Sequence, residues 1–185
     1  MAQSRIHLAK PILYFAYGSN MSPAQMAIRC RGCKMVAVAR LSGYRLAFFG
    51  HSQRWDSGEE TVLPAAGERV FGVVYELSHS ALDRLDAWQG VKLDGSGRYF
   101  HSPAEVIGLD GKVYSVLLYR KDILGEPRPP SSEYLAYILA GAEEQALPAE
   151  YIQRLRAIPS QLARYVVPRA EDADRLLMPA GSCAC

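Results

Sequence analysis

Tyr14-Phe15-Ala16-Tyr17-Gly18-Ser19-Asn20-Met21 reads as a short apolar strand that breaks into a Gly-Ser-Asn turn and then a helix. A glycine at the break lets the backbone turn sharply, so the amides that follow converge on one point, and the start of the next helix adds partial positive charge there. Such a nest suits a small carboxylate or phosphate. Downstream, Ser22-Pro23 places a cap residue before a proline at the first helical position, and Gly32 stops the helix.

Working outward, residues 1–10 read as an extension and Ile12–Ala16 as a buried strand. Residues 35–49, with Gly43 in the middle, predict a bent strand that curves round a barrel. Residues 50–60 are polar and read as a loop, and Val70-Phe71-Gly72-Val73-Val74-Tyr75-Glu76-Leu77 is the clearest strand. Ser78 then caps a helix with Leu82, Leu85 and Trp88 on one face, ended by Gln89-Gly90-Val91. Tyr99–Ile107 and Lys112–Tyr119 flank Asp110-Gly111, a hairpin signal that predicts an antiparallel pair. Helices follow over 131–146, capped by Ser131 or Ser132, and over 148–158. Strands grouped with one inserted helix and others packed outside predict an α+β fold, a small mixed β-barrel with flanking helices. The domain spans 11–160, and 161–185 form a C-terminal tail.

The chain has 185 residues, about half of them apolar, enough for one buried core. Lys plus Arg number 21 against 19 Asp plus Glu, and no basic run interleaved with aromatics marks a nucleic-acid footprint. No apolar run approaches the roughly 20 residues that cross a bilayer, and the N-terminus lacks the apolar core of a signal peptide, so a cytoplasmic location is expected, with no membrane partner. Neither Gly-x-Gly-x-x-Gly nor a Walker loop occurs. Cys30-x-x-Cys33 and Cys183-x-Cys185 have the count for a four-thiolate zinc site but no zinc-ribbon context, and reduced thiols are the expectation. His51, His79 and His101 show no ligand spacing, so no metal is expected. Oligomeric state is not legible.

The opening motif, together with Val38-Ala39-Arg40-Leu41, Val70-Phe71-Gly72-Val73-Val74-Tyr75 and Leu85-Asp86-Ala87-Trp88-Gln89-Gly90-Val91, resembles the γ-glutamylcyclotransferase family in order and spacing. The resemblance runs from about residue 12 to about 158 and takes in Tyr99, Tyr119 and Tyr134, where that family keeps tyrosines round its cavity. It implies a cavity that holds a γ-glutamyl group while the substrate's own α-amine attacks the γ-carbonyl, releasing 5-oxoproline and an amine without metal or cofactor. The backbone of Gly18, Ser19, Asn20 and Met21 would grip the α-carboxylate, with Tyr17 beside it. Taken alone, the tyrosines read as core aromatics and Gly-Ser-Asn as an ordinary turn.

The family's pattern has a glutamate where this chain has Gln89, a residue that takes a proton from the attacking ammonium and hands one to the departing amine. A carboxamide has nearly the same shape but no proton-accepting pKa near neutrality. Weak or absent turnover is therefore expected from Gln89. Three accounts fit: an isosteric change made to trap substrate, a native binding module for a small acidic metabolite, or transfer of the role to Glu59, Glu60 or Asp86. Glu60 draws notice because the family has a small apolar residue before Thr61. An amide hydrolase on the same scaffold is a further alternative.

Overall fold

The computed structural model describes residues 11–169 apart from Leu93. Five strands, β1 (Ile12–Ala16), β2 (Lys34–Ser52), β3 (Ser57–Leu77), β4 (Phe100–Gly108) and β5 (Val113–Arg120), close a barrel in the order β1-β3-β2-β4-β5. Neighbours are antiparallel except β1 and β5, which meet in parallel at Tyr14 and Leu117 and seal the barrel. The expected antiparallel pairing of β4 with β5 is present, with Gly111 at φ 81° in the turn. The α+β barrel with flanking helices is thus the architecture of the chain.

Burial is unbroken from Val70 to Tyr75, although a strand facing core on one side would alternate. Both faces of β3 are covered here, the barrel interior on one side and the helix carrying Tyr151 on the other, as the Phe71–Tyr151 ring contact at 5.3 Å marks, while β1 and β2 pair along its two edges. Space is short at Gly72, where a Cβ would overlap the Ala16 carbonyl oxygen and lie 2.8 Å from Phe15 Cζ.

The polar stretch 50–60 is not a loop, contrary to the expectation from its composition. β2 and β3 run through it, paired as far as Ser52 and Ser57, and only Gln53–Asp56 turn the chain, with Asp56 at φ 43°. Polarity misleads here because Ser52, Glu59 and Glu60 are buried strand residues facing a pocket rather than solvent. Asp56 also anchors the chain beyond 160. Its carboxylate accepts from the Arg164 backbone N–H at 2.8 Å and from the Arg164 guanidinium at 2.8 and 3.0 Å, and these bonds hold it well below the usual carboxylate range. Tyr165 Oη adds a bond to the Gln53 carbonyl at 2.6 Å. Residues 161–169 of the stretch read as tail therefore lie against the β2–β3 turn. Cys183 and Cys185 fall outside the described residues.

Among the described residues, four α-helices flank the barrel: α1 (Pro23–Arg29), α2 (His79–Gln89), α3 (Ser132–Glu144) and α4 (Ala149–Arg156). Ser78 caps α2 by accepting from the Ala81 N–H at 3.2 Å, and Gly90 at φ 68° ends it. Ser131 caps α3, accepting from the Tyr134 N–H at 3.2 Å while donating to the Trp55 carbonyl at 2.7 Å. The cap thus also fixes α3 to the β2–β3 turn. Along α3, Gly141 permits close approach to the first loop: a Cβ there would stand 2.8 Å from the Ser22 backbone nitrogen. No helix among the described residues is long and apolar enough to cross a membrane.

Candidate active site

A single three-residue 3-10 turn, Ser19–Met21, follows β1, and α1 begins only at Pro23 with seven residues. The helix start expected right after the Gly-Ser-Asn turn is thus a single 3-10 turn, with α1 beginning two residues beyond it. The Met21 N–H donates to the Gly18 carbonyl at 3.0 Å, so that amide is spent within the turn. Gly18 itself has φ −116°, a value open to any residue. The glycine is needed for room: its missing Cβ would overlap Glu60 Oε1.

Positive charge reaches the loop from Arg29, the last residue of α1. Its side chain is buried, donates to Ser19 Oγ at 3.1 Å, and also bonds Asn20 Oδ1 and Gln25 Oε1. Burial pulls its pKa down to about 10, which still leaves it cationic at neutral pH. The guanidinium carbon lies 4.2 Å from the Trp88 ring centre, and Arg54 stacks on the same ring at 3.8 Å. Trp88, read from sequence as part of the apolar face of α2, is instead held by two cations beside the pocket. Leu85, on that same face, is fully buried as expected.

The pocket is lined by Ser19, Arg54, Trp55, Glu60, Gln89 and Tyr134, with Ser52, Glu59, Trp88, Arg98 and Tyr99 completing the wall. Of the residues singled out from sequence, the structure brings Ser19, Glu60, Gln89, Tyr99 and Tyr134 to this pocket, with Gly18 directly against the Glu60 carboxyl. Tyr17, Asn20, Met21 and Tyr119 do not line it. Tyr17 Oη donates to the Tyr119 carbonyl, Asn20 Nδ2 to Tyr14 Oη at 2.9 Å, and Tyr119 Oη to Asp86 Oδ1 at 2.6 Å. These residues hold the loop and barrel that carry the pocket. Sequence reasoning missed Arg29, Arg54, Trp55 and Arg98. The polar run at 50–60 was the available signal for the middle two.

The three alternative carboxylates have different fates. Asp86 is engaged by Tyr119 and by His101 at 2.6 Å and does not line the pocket. Glu59 forms a buried ion pair with Lys121 and faces Arg98 at 3.6 Å. Glu60, by contrast, meets no cation among the ion pairs of the described residues. Its carboxylate accepts from Tyr134 Oη at 2.5 Å, and its backbone carbonyl accepts from Tyr99 Oη at 2.9 Å. Burial raises the Glu60 pKa above its ordinary value, and the Tyr134 bond opposes that rise.

The chain is 36% identical to the γ-glutamylcyclotransferase of Homo sapiens over 165 residues, which cover 86% of this chain and 86% of that protein. The chain belongs to the γ-glutamylcyclotransferase family. The Mus musculus γ-glutamylcyclotransferase is 34% identical over the same share of both chains. A solved γ-glutamyl cyclotransferase superposes with a TM-score of 0.80 at 34% identity, covering 91% of this chain and 98% of that one. The AIG2-like family matches residues 69–155, the portion that includes the core of β3, α2 with Gln89, the β4–β5 hairpin and α3. Within the γ-glutamylcyclotransferase frame, position 89 closes α2 at the pocket rim, where the helix presents the negative end of its dipole. A carboxamide at that position is uncharged. Among the described residues, Glu60 is the pocket carboxyl with no ion-pair partner, although the Arg29 charge acts on it from a distance.

Proposed function

We propose that this protein cleaves a γ-glutamyl amide by attack of the substrate's α-amine on its own γ-carbonyl, releasing 5-oxoproline and a free amine. Family membership supports the reaction class. The observation that carries the reading for this chain is the meeting of Ser19, from the first loop, with Gln89 and Tyr134 in one pocket backed by the buried Arg29. An α-carboxylate held at Ser19 is attracted by that cation, and the pocket walls hold the γ-carbonyl near the amine. A five-membered closure needs this alignment more than it needs added reagents, because nucleophile and electrophile belong to one molecule. The reading therefore calls for no metal or cofactor, and its partner is a small γ-glutamyl compound.

Gln89 can donate to or accept from the substrate but cannot take its proton, so turnover requires a carboxyl from elsewhere in the pocket. Incubation of the unaltered chain with a panel of γ-glutamyl amino acids and γ-glutamyl amines, with products resolved by mass, tests the reaction. The expected products are 5-oxoproline and amine in equal amounts. Free glutamate in place of 5-oxoproline would mean that water attacks, making the protein an amide hydrolase. Binding of 5-oxoproline without any turnover would make it a binding module.

A further inference from the structure

We propose that Glu60 is the catalytic proton carrier of this chain, having taken over on β3 the task for which position 89 on α2 holds only a carboxamide. The inference rests on the cyclisation reading above and adds the identity of the group that makes it run.

Three features of geometry support it. Glu60 lines the same pocket as Ser19 and Gln89. Its Oε1 sits against Gly18, the residue that opens the anion-holding loop. In an amino acid the α-ammonium and α-carboxylate share one carbon, so a group beside the carboxylate's cradle is within one hydrogen bond of the ammonium. Finally, the other oxygen, Oε2, is fixed by Tyr134 Oη at 2.5 Å, and the Glu60 backbone is fixed by Tyr99. The carboxyl is held in place with one oxygen committed to orientation and the other turned toward the loop.

The charged and titratable groups around Glu60 come from every side: Tyr14 on β1 and Tyr17 just after it, Arg29 on α1, Glu59 on β3, Tyr99 before β4 and Tyr134 on α3, with Arg54 and Arg98 in the pocket wall. All four tyrosines have pKa values raised by burial, so they remain protonated and can donate. Burial also raises Glu60, which moves a carboxyl toward the range where one group can both accept and release a proton near neutrality. An incoming ammonium favours the ionised form and completes the pair.

The steps balance as follows. The Glu60 carboxylate accepts one proton from the α-ammonium. The freed lone pair forms the C–N bond to the γ-carbonyl carbon, and Glu60 returns that proton to the amide nitrogen as the old C–N bond breaks. The ring nitrogen sheds a second proton, which the departing amine gains through solvent. A neutral lactam and an ammonium result, with no net proton change and no oxidant, reductant or water consumed.

Glu60→Gln in the full chain is the test, read by 5-oxoproline release, by calorimetric binding of 5-oxoproline and by thermal melting. Release should fall about 10²- to 10⁴-fold, the usual contribution of a positioned acid/base group, while 5-oxoproline still binds. Stability moves the other way. A carboxyl whose folded pKa is raised stabilises the fold fully below its ordinary value of 4.5 and loses that contribution as pH rises through the folded value. At pH 8 Glu60→Gln should therefore melt above the parent, which separates lost activity from lost structure.

A second variant reads the proton directly. The Tyr134 hydrogen bond lowers the Glu60 pKa, so Tyr134→Phe should shift the acid limb of the kcat profile to higher pH, and Glu60→Gln should remove that limb. Parent-level release by Glu60→Gln, or an acid limb that neither change moves, would overturn the assignment while leaving the cyclisation reading intact. Absence of 5-oxoproline release from the parent itself would overturn the cyclisation reading, and the assignment with it.

Discussion

Gly18→Ala is expected to abolish most turnover, by about 10²-fold or more if Glu60 loses its position as proton carrier, and to cost the fold no more than the loss of one buried hydrogen bond, about 1–3 kcal/mol. The added methyl would overlap Glu60 Oε1, with the carboxyl carbon at 2.8 Å and Cγ at 3.0 Å. All three atoms belong to the end of one side chain, which can swing aside. Backbone strain adds nothing, because Gly18 has φ −116°. The carboxyl that moves must break its 2.5 Å bond from Tyr134 and leave the loop. Steady-state 5-oxoproline release together with a melting curve checks both halves. A variant that melts with the parent and turns over with it would show that the Glu60 position relative to Gly18 has no bearing on chemistry.

Gly72→Ala is the same chemical change with the opposite consequence. Here the methyl would overlap the Ala16 backbone carbonyl oxygen and approach Phe15 Cζ and Cε2 at 2.8 and 2.9 Å. Neither partner can rotate away: the carbonyl belongs to β1, which pairs with β3 from Ile12–Leu77 to Ala16–Val73, and Phe15 is fully buried. The strands must separate. Overpacking in a well-filled core costs about 1–3 kcal/mol, occasionally more, and at this size each kcal/mol lowers Tm by about 2–4 °C. Denaturant unfolding should show a lower midpoint, with catalysis lost only as the folded fraction falls. An unchanged midpoint would mean that β1 and β3 are not packed as closely as described.

The contrast between these two glycines bears on what could be read from the chain. Both stand in motifs that resemble the γ-glutamylcyclotransferase family, yet sequence gives Gly18 a conformational reason, a sharp turn, whereas the structure gives it a spatial one. The local signals carried: Asp110-Gly111 announced its hairpin, Ser78 and Gly90 bounded α2, and the apolar run at 70–77 marked the strand in the middle of the core. Closure of the barrel by β1 against β5 joins residues about a hundred apart, and no local pattern encodes it.

Within the site, the family resemblance singled out Glu60, where it implies a small apolar residue, and Gln89, where it implies a glutamate. What Glu60 touches was beyond sequence, since Tyr134 reaches it from 74 residues away. Arg29 was hidden for another reason. A basic residue in the last turn of a short helix reads as solvated, and only the packing of α1 beneath the loop turns it inward. The run 50–60 was misread because polarity in a strand looks like a loop when the strand faces a pocket instead of water. Weak turnover is the expectation from Gln89 taken alone; the role proposed for Glu60 predicts turnover instead.

A crystal structure of the unaltered chain soaked with 5-oxoproline tests the central claim most directly. The account predicts the product's carboxylate at Ser19, backed by Arg29, and its ring nitrogen within hydrogen-bond distance of Glu60. A product bound elsewhere on the surface, or one seated in the pocket with its ring nitrogen turned away from Glu60 and toward Gln89, would contradict it.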